Sequence, residues 1–112
     1  MKKLLISFAL AALSATAAQA ADAARGKEIF MKVGCYQCHG TVGQGANTGP
    51  KLAPEPLALE SFVAFVRNAA ATQMPAFSAN MVSDAEMADI HAYLSSIKPP
   101  PAFKDIPLLN NP

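Results

Sequence analysis

Both cysteines of the chain and one of its two histidines fall within five residues, Cys35, Cys38 and His39, in the stretch "VGCYQCHGT". Two thiols at this spacing, followed at once by an imidazole, suit three chemistries: a redox dithiol, part of a zinc site, or a haem attachment site. A C-x-x-C dithiol works at a helix N-terminus after a strand, within a βαβ unit. Here the motif follows a helical pattern and precedes glycine-rich sequence, and no strand pattern occurs. A structural zinc site closes with four ligands, and the only other histidine, His91, lies far down the chain. Haem attachment explains the spacing itself. Each thiol adds across one vinyl group of the porphyrin, and two intervening residues make the single turn that bridges neighbouring vinyls. The next residue then lies beneath the iron, so an imidazole there becomes an axial ligand. Cys35 and Cys38 are thereby candidate thioether residues, His39 a candidate iron ligand, and Tyr36 and Gln37 spacers.

A second axial ligand has to come from elsewhere. Beyond residue 20 the chain carries Met31, Met74, Met81 and Met87, and a methionine with no such role is adaptable core filling. Met31 is four residues before Cys35, too near the attachment side to cross the haem plane. Met87 belongs to an apolar helical stripe. Met81 precedes a helix cap, where apolar residues pack as staples, and is the reserve candidate. Met74 is followed by Pro75, which pushes residue 74 out of helical geometry and presents its side chain from a loop. Thirty-five residues separate it from His39, enough to pass the haem edge. Met74 is therefore the expected sixth ligand. His91 would make the iron bis-histidine, but it sits mid-helix beside a buried stripe and reads as a packed helix histidine. Arg67, ending a short helix, is a candidate partner for a haem propionate, with a solvated arginine as its alternative.

These residues must be positioned by few elements. Asp22 caps a first helix over Ala23 to Val33, stopped by Gly34. Residues 40–59 hold four glycines and three prolines, which no regular element survives, and a loop of that length normally wraps something. Leu59 to Asn68 places Leu59, Phe62, Phe65 and Val66 at helical spacing. Ser83-Asp84-Ala85-Glu86 is a capping box opening a last helix to about Ile97, with Met87, Ile90, Leu94 and Ile97 on one stripe. Pro99-Pro100-Pro101 ends it. The tail from residue 102 reads as extended, and its Phe103, Ile106, Leu108 and Leu109 must either wrap over the domain or serve as a docking strap. The expected fold class is all-α: about three main helices with long loops around one cofactor.

The first twenty residues read as a secretory signal peptide. Met1-Lys2-Lys3 is a basic start, Leu4–Ala18 an apolar run, and Ala18-Gln19-Ala20 a cleavage site. The run is shorter than a membrane span of about twenty residues, so no stable span is expected after cleavage behind Ala20. The expected organisation is residues 1–20 as signal, 21–98 as one domain and 99–112 as a proline-rich tail. The mature part would carry seven basic and eight acidic residues, without the clustered positive charge that nucleic acid demands. A domain of this size with no tryptophan buries a modest core, and a large buried cofactor would supply what is missing.

The segments "GKEIFMKVGCYQCHG", "TGP", "MPAF" and "ADIHAYL", in that order and spacing, make the chain resemble the class I c-type cytochromes. The resemblance covers nearly all of the chain beyond residue 20. It implies that the first and last helices cross near Gly26, with Phe30, Tyr93 and Leu94 at the crossing. It also implies that Cys35 and Cys38 hold one covalent haem c, and that His39 and Met74 ligate its iron. The Pro50 carbonyl would then accept the Nδ1–H of His39, fixing the ring. A six-coordinate iron leaves no open position for a substrate, so the expected function is single-electron transfer rather than catalysis. Export implies a periplasmic location. Further similarity in the "VRN" to "AYL" region points to a periplasmic dehydrogenase as donor, with a terminal acceptor downstream. A haem-based peroxidase or gas sensor is the alternative if Met74 does not hold the iron.

Overall fold

The computed structural model describes residues 19–110; the signal-peptide reading falls almost wholly outside them. Helix α1, Ala23–Lys32, starts where the Asp22 carboxylate accepts the Arg25 amide at 3.1 Å and ends at Val33, with Lys32 in the last turn against the helix dipole. A single turn, α2, spans Tyr36–His39, and α3 spans Leu59–Arg67. Helix α4, Asp84–Ser96, opens with the complete capping box: Glu86 N–H donates to Ser83 Oγ at 3.2 Å, and Ser83 N–H to Glu86 Oε2 at 2.8 Å. No strand occurs among the described residues, only an isolated bridge between Ala46 and Gly49. The fold is all-α among the described residues, as expected.

The frame is the crossing of α1 and α4. At the crossing point a Cβ on Gly26 would lie 1.9 Å from the backbone oxygen of Asp89, so only glycine lets the two backbones touch. Phe30 and Tyr93 meet edge to face, centroids 5.6 Å apart, beside fully buried Leu94. Tyr93 also donates its hydroxyl to the Thr41 carbonyl at 2.7 Å, pinning the loop after the cysteine turn to α4. Buried Asp89 accepts the Asp22 amide at 2.7 Å and Arg25 Nε at 2.6 Å, tying the start of α1 to the middle of α4. Met87, Ile90 and Leu94 are buried as one stripe and join Phe62, Val66 and Val82 in a contiguous core. Burying each such side chain contributes about 1.5–3 kcal/mol.

The tail departs from the expectation of an extended segment. Phe103–Asp105 forms a 3-10 turn and Pro107–Asn110 a short helix, α5. Proline suits the first helical position, where its missing N–H costs nothing, and Asn110 Nδ2 donates back to the carbonyls of Phe103 and Ile106. Phe103, Leu108 and Leu109 stay 66%, 90% and 56% exposed. The two short elements pack against each other, and these three side chains lie open at the surface.

Candidate functional site

The cysteine turn grows directly out of α1. Cys35 N–H donates to the Phe30 carbonyl at 3.1 Å, and His39 N–H to the Cys35 carbonyl at 3.1 Å. One helical turn therefore carries both thiols and the imidazole. Cys35 is half-buried against the core, and Cys38 is exposed. Burial, with a smaller contribution from neighbouring Cys38, pushes the Cys35 thiol up to about 11. A reactive dithiol needs a depressed pKa, so this environment argues against the redox-dithiol chemistry. Nor do three His, Cys, Asp or Glu side chains converge as a metal site among the described residues, which removes the zinc alternative's ligand set.

His39 is only 6% exposed. Its Nδ1 lies 2.8 Å from the Pro50 carbonyl oxygen. A carbonyl can only accept, so Nδ1 bears the proton and the lone pair is left on Nε2. The loop reaches the ring because residue 49 is glycine: a Cβ there would stand 2.6 Å from the Cys38 carbonyl oxygen and 3.1 Å from His39 Cε1. Cys38, His39, Pro50 and Met74 line one cavity of about 500 Å³. Its other walls include Leu52, Leu57, Phe62, Phe65 and Val66, with Lys51 and Glu55 at the same cavity. Cys35 does not line it and sits one turn back, packed on the core.

The remaining candidates sort by position. Met87 is buried in the core, Met31 is half-buried on α1, and Met81 is 61% exposed and outside the cavity. His91 does not line the cavity. Its Nε2–H donates to the Leu57 carbonyl at 2.8 Å, and its ring meets Phe62 edge to face. It thus backs two wall residues, as a packed helix histidine. Arg67 makes two contacts that the sequence does not announce. It donates Nη1 to the Phe77 carbonyl at 2.9 Å and Nη2 to Asp84 at 2.6 Å, and does not line the cavity. Sequence patterns miss this bond because its acceptor is a backbone carbonyl, which no residue type announces.

The residues present fit a large, flat, apolar metallocycle. Exposed carbon on Leu57 and Phe65 awaits cover, a buried imidazole offers a free nitrogen lone pair, and a thioether shares the same cavity. A family model described as cytochrome C oxidase, cbb3-type, subunit III matches residues 21–94. Comparison with curated proteins and with solved structures gives no match. Nearly the whole helical frame and every candidate ligand fall within the matched span, and the chain therefore belongs to this family of class I c-type cytochrome-like domains, which carry haem c covalently and transfer electrons.

Proposed function

We propose that the protein is an exported, periplasmic carrier of single electrons, with Cys35 and Cys38 as the haem thioethers and His39 and Met74 as the axial iron ligands. The observation that carries this reading is the 2.8 Å bond from His39 Nδ1–H to the Pro50 carbonyl, with Met74 on the same cavity. That bond leaves Nε2 as the ligating atom and holds the ring's orientation, and it makes the imidazole a stronger donor. Bound haem supplies a one-electron Fe(II)/Fe(III) couple, which His/Met ligation places at raised potential. Leu52, Phe62 and Val66 would set an apolar wall beside the bound group. With His39 and Met74 both holding the iron, no position would be left for a substrate, so the proposed role is electron transfer without turnover.

A periplasmic dehydrogenase is the proposed donor, on the resemblance of the Val66-to-Leu94 region to the cytochrome partners of such enzymes. The acceptor is a terminal one, a class that the family's description, naming an oxidase subunit, supports. Spectroscopy and carbon monoxide binding test the axial assignment. The reduced wild-type protein should bind carbon monoxide poorly at neutral pH, whereas reduced Met74→Ala should bind it readily and oxidised Met74→Ala should lack the long-wavelength sulfur-to-iron band. Retention of that band in Met74→Ala would move the ligand to Met81. Ready binding by the wild type would instead favour a gas sensor or peroxidase.

A further inference from the structure

Met74 stands in a stretch with no helix of its own, between the turn ending at Ala71 and the cap at Ser83. On its N-terminal side Met74 N–H donates to Thr72 Oγ1 at 3.1 Å, and that hydroxyl donates to the Ala69 carbonyl at 2.7 Å. On the other side the anchor is Phe77. Its N–H donates to the Val66 carbonyl at 3.1 Å, and its own carbonyl accepts Nη1 of Arg67 at 2.9 Å. Two consecutive residues at the end of α3 thus grip both backbone groups of the residue three places after Met74.

The second arm of Arg67 reaches Asp84 at the start of α4. Asp84 is 79% exposed, against 18% for the arginine side chain, so this ion pair is screened and contributes little. The shielded bond is the one to Phe77, charge-assisted and made by a planar fork that can hold two acceptors at once. A lysine at residue 67 has one compact donor group and cannot bridge both in the same way.

We infer that Arg67 is a positioning residue for the sixth iron ligand: it holds the Met74–Phe77 segment against α3 and so keeps the Met74 sulfur at the cavity. The inference rests on the axial assignment of Met74 given above. Loss of the Phe77 bond raises the fraction of time the segment stands open. An outside ligand that needs the open form then binds more tightly in proportion to that fraction.

The test is carbon monoxide affinity of the reduced, haem-loaded protein in four forms: wild type, Arg67→Met, Met74→Ala and the double variant. Methionine at 67 keeps an apolar stem for packing while removing the donors. Arg67→Met should raise affinity roughly tenfold over wild type, the size expected for one lost charge-assisted hydrogen bond. In the Met74→Ala background the same substitution should change nothing, because the position is already open. Asp84→Asn should stay within about twofold of wild type, the mark of a screened pair. An unchanged affinity in Arg67→Met overturns the inference. So does an equal rise in both backgrounds, which would mean a general loosening of the cavity. If Met74→Ala itself fails to gain affinity, the axial assignment falls and this role falls with it. Should Arg67→Met not accumulate with haem, Arg67→Lys takes its place: an affinity above wild type supports the role, and a wild-type affinity overturns it.

Discussion

His39 and Cys35 are neighbours on one turn, yet their surroundings prepare them for different ends. The imidazole is polarised by a carbonyl that fixes which nitrogen is free. The Cys35 thiol, pressed against Phe30 and its neighbours, is held neutral by the same burial that makes it a poor nucleophile. At about pH 8 a pKa pushed from 9.0 to about 11 leaves roughly a hundredth of the thiolate of an ordinary cysteine. In the haem-free chain, alkylation followed by mass spectrometry should therefore label exposed Cys38 well before Cys35. Raising the pH towards 11 should close the gap, since thiolate accumulates as pH approaches the raised pKa. Equal labelling at the lower pH would mean that the turn does not form before the cofactor is attached.

At the scale of elements, the crossing of α1 and α4 decides where the cysteine turn emerges, because α2 hangs from the end of α1. Gly26→Ala places a Cβ 1.9 Å from the Asp89 carbonyl oxygen and 2.3 Å from its carbon. Both are backbone atoms, so relief requires the helices to separate. The expected cost is about 3 kcal/mol of unfolding free energy or more, read by urea denaturation of the haem-loaded protein; a loss below about 1 kcal/mol would mean that the helices meet elsewhere. The helices themselves were legible in the sequence, since Asp22, Ser83 with Glu86, and the stripe of Met87, Ile90 and Leu94 are local signals written in residue types. The cysteine turn was legible for the same reason. Arg67 was not, because its bond to Phe77 depends on how a loop folds back, and the acceptor is main chain. Helix α5 was missed because proline density reads as extended chain, whereas Pro107 occupies the one helical position that tolerates it.

The whole molecule combines a small protein core with a cofactor cavity, and the tail belongs to neither. The core runs from Phe30 through Val66 to Leu94, and among the described residues none beyond 94 is one of its buried members. The tail's hydrogen bonds from Asn110 are internal to it, and Leu108 is 90% exposed. Removing residues 102–112 therefore takes away little apolar contact with the domain, and burial is the term that would convert into stability. The shortened, haem-loaded protein should unfold within about 0.5 kcal/mol of the full chain, the range of surface changes away from packed features. Its absorption spectrum and carbon monoxide affinity should be unchanged, because no described tail residue lines the cavity. A loss of several kcal/mol would mean that Phe103, Leu108 and Leu109 find cover on the domain once haem is in place. The comparison is best made by thermal unfolding monitored at the haem band, which reports the cavity, alongside far-ultraviolet circular dichroism, which reports the helices. Coincident curves for the two lengths would establish that the domain closes around its cofactor without help from the tail.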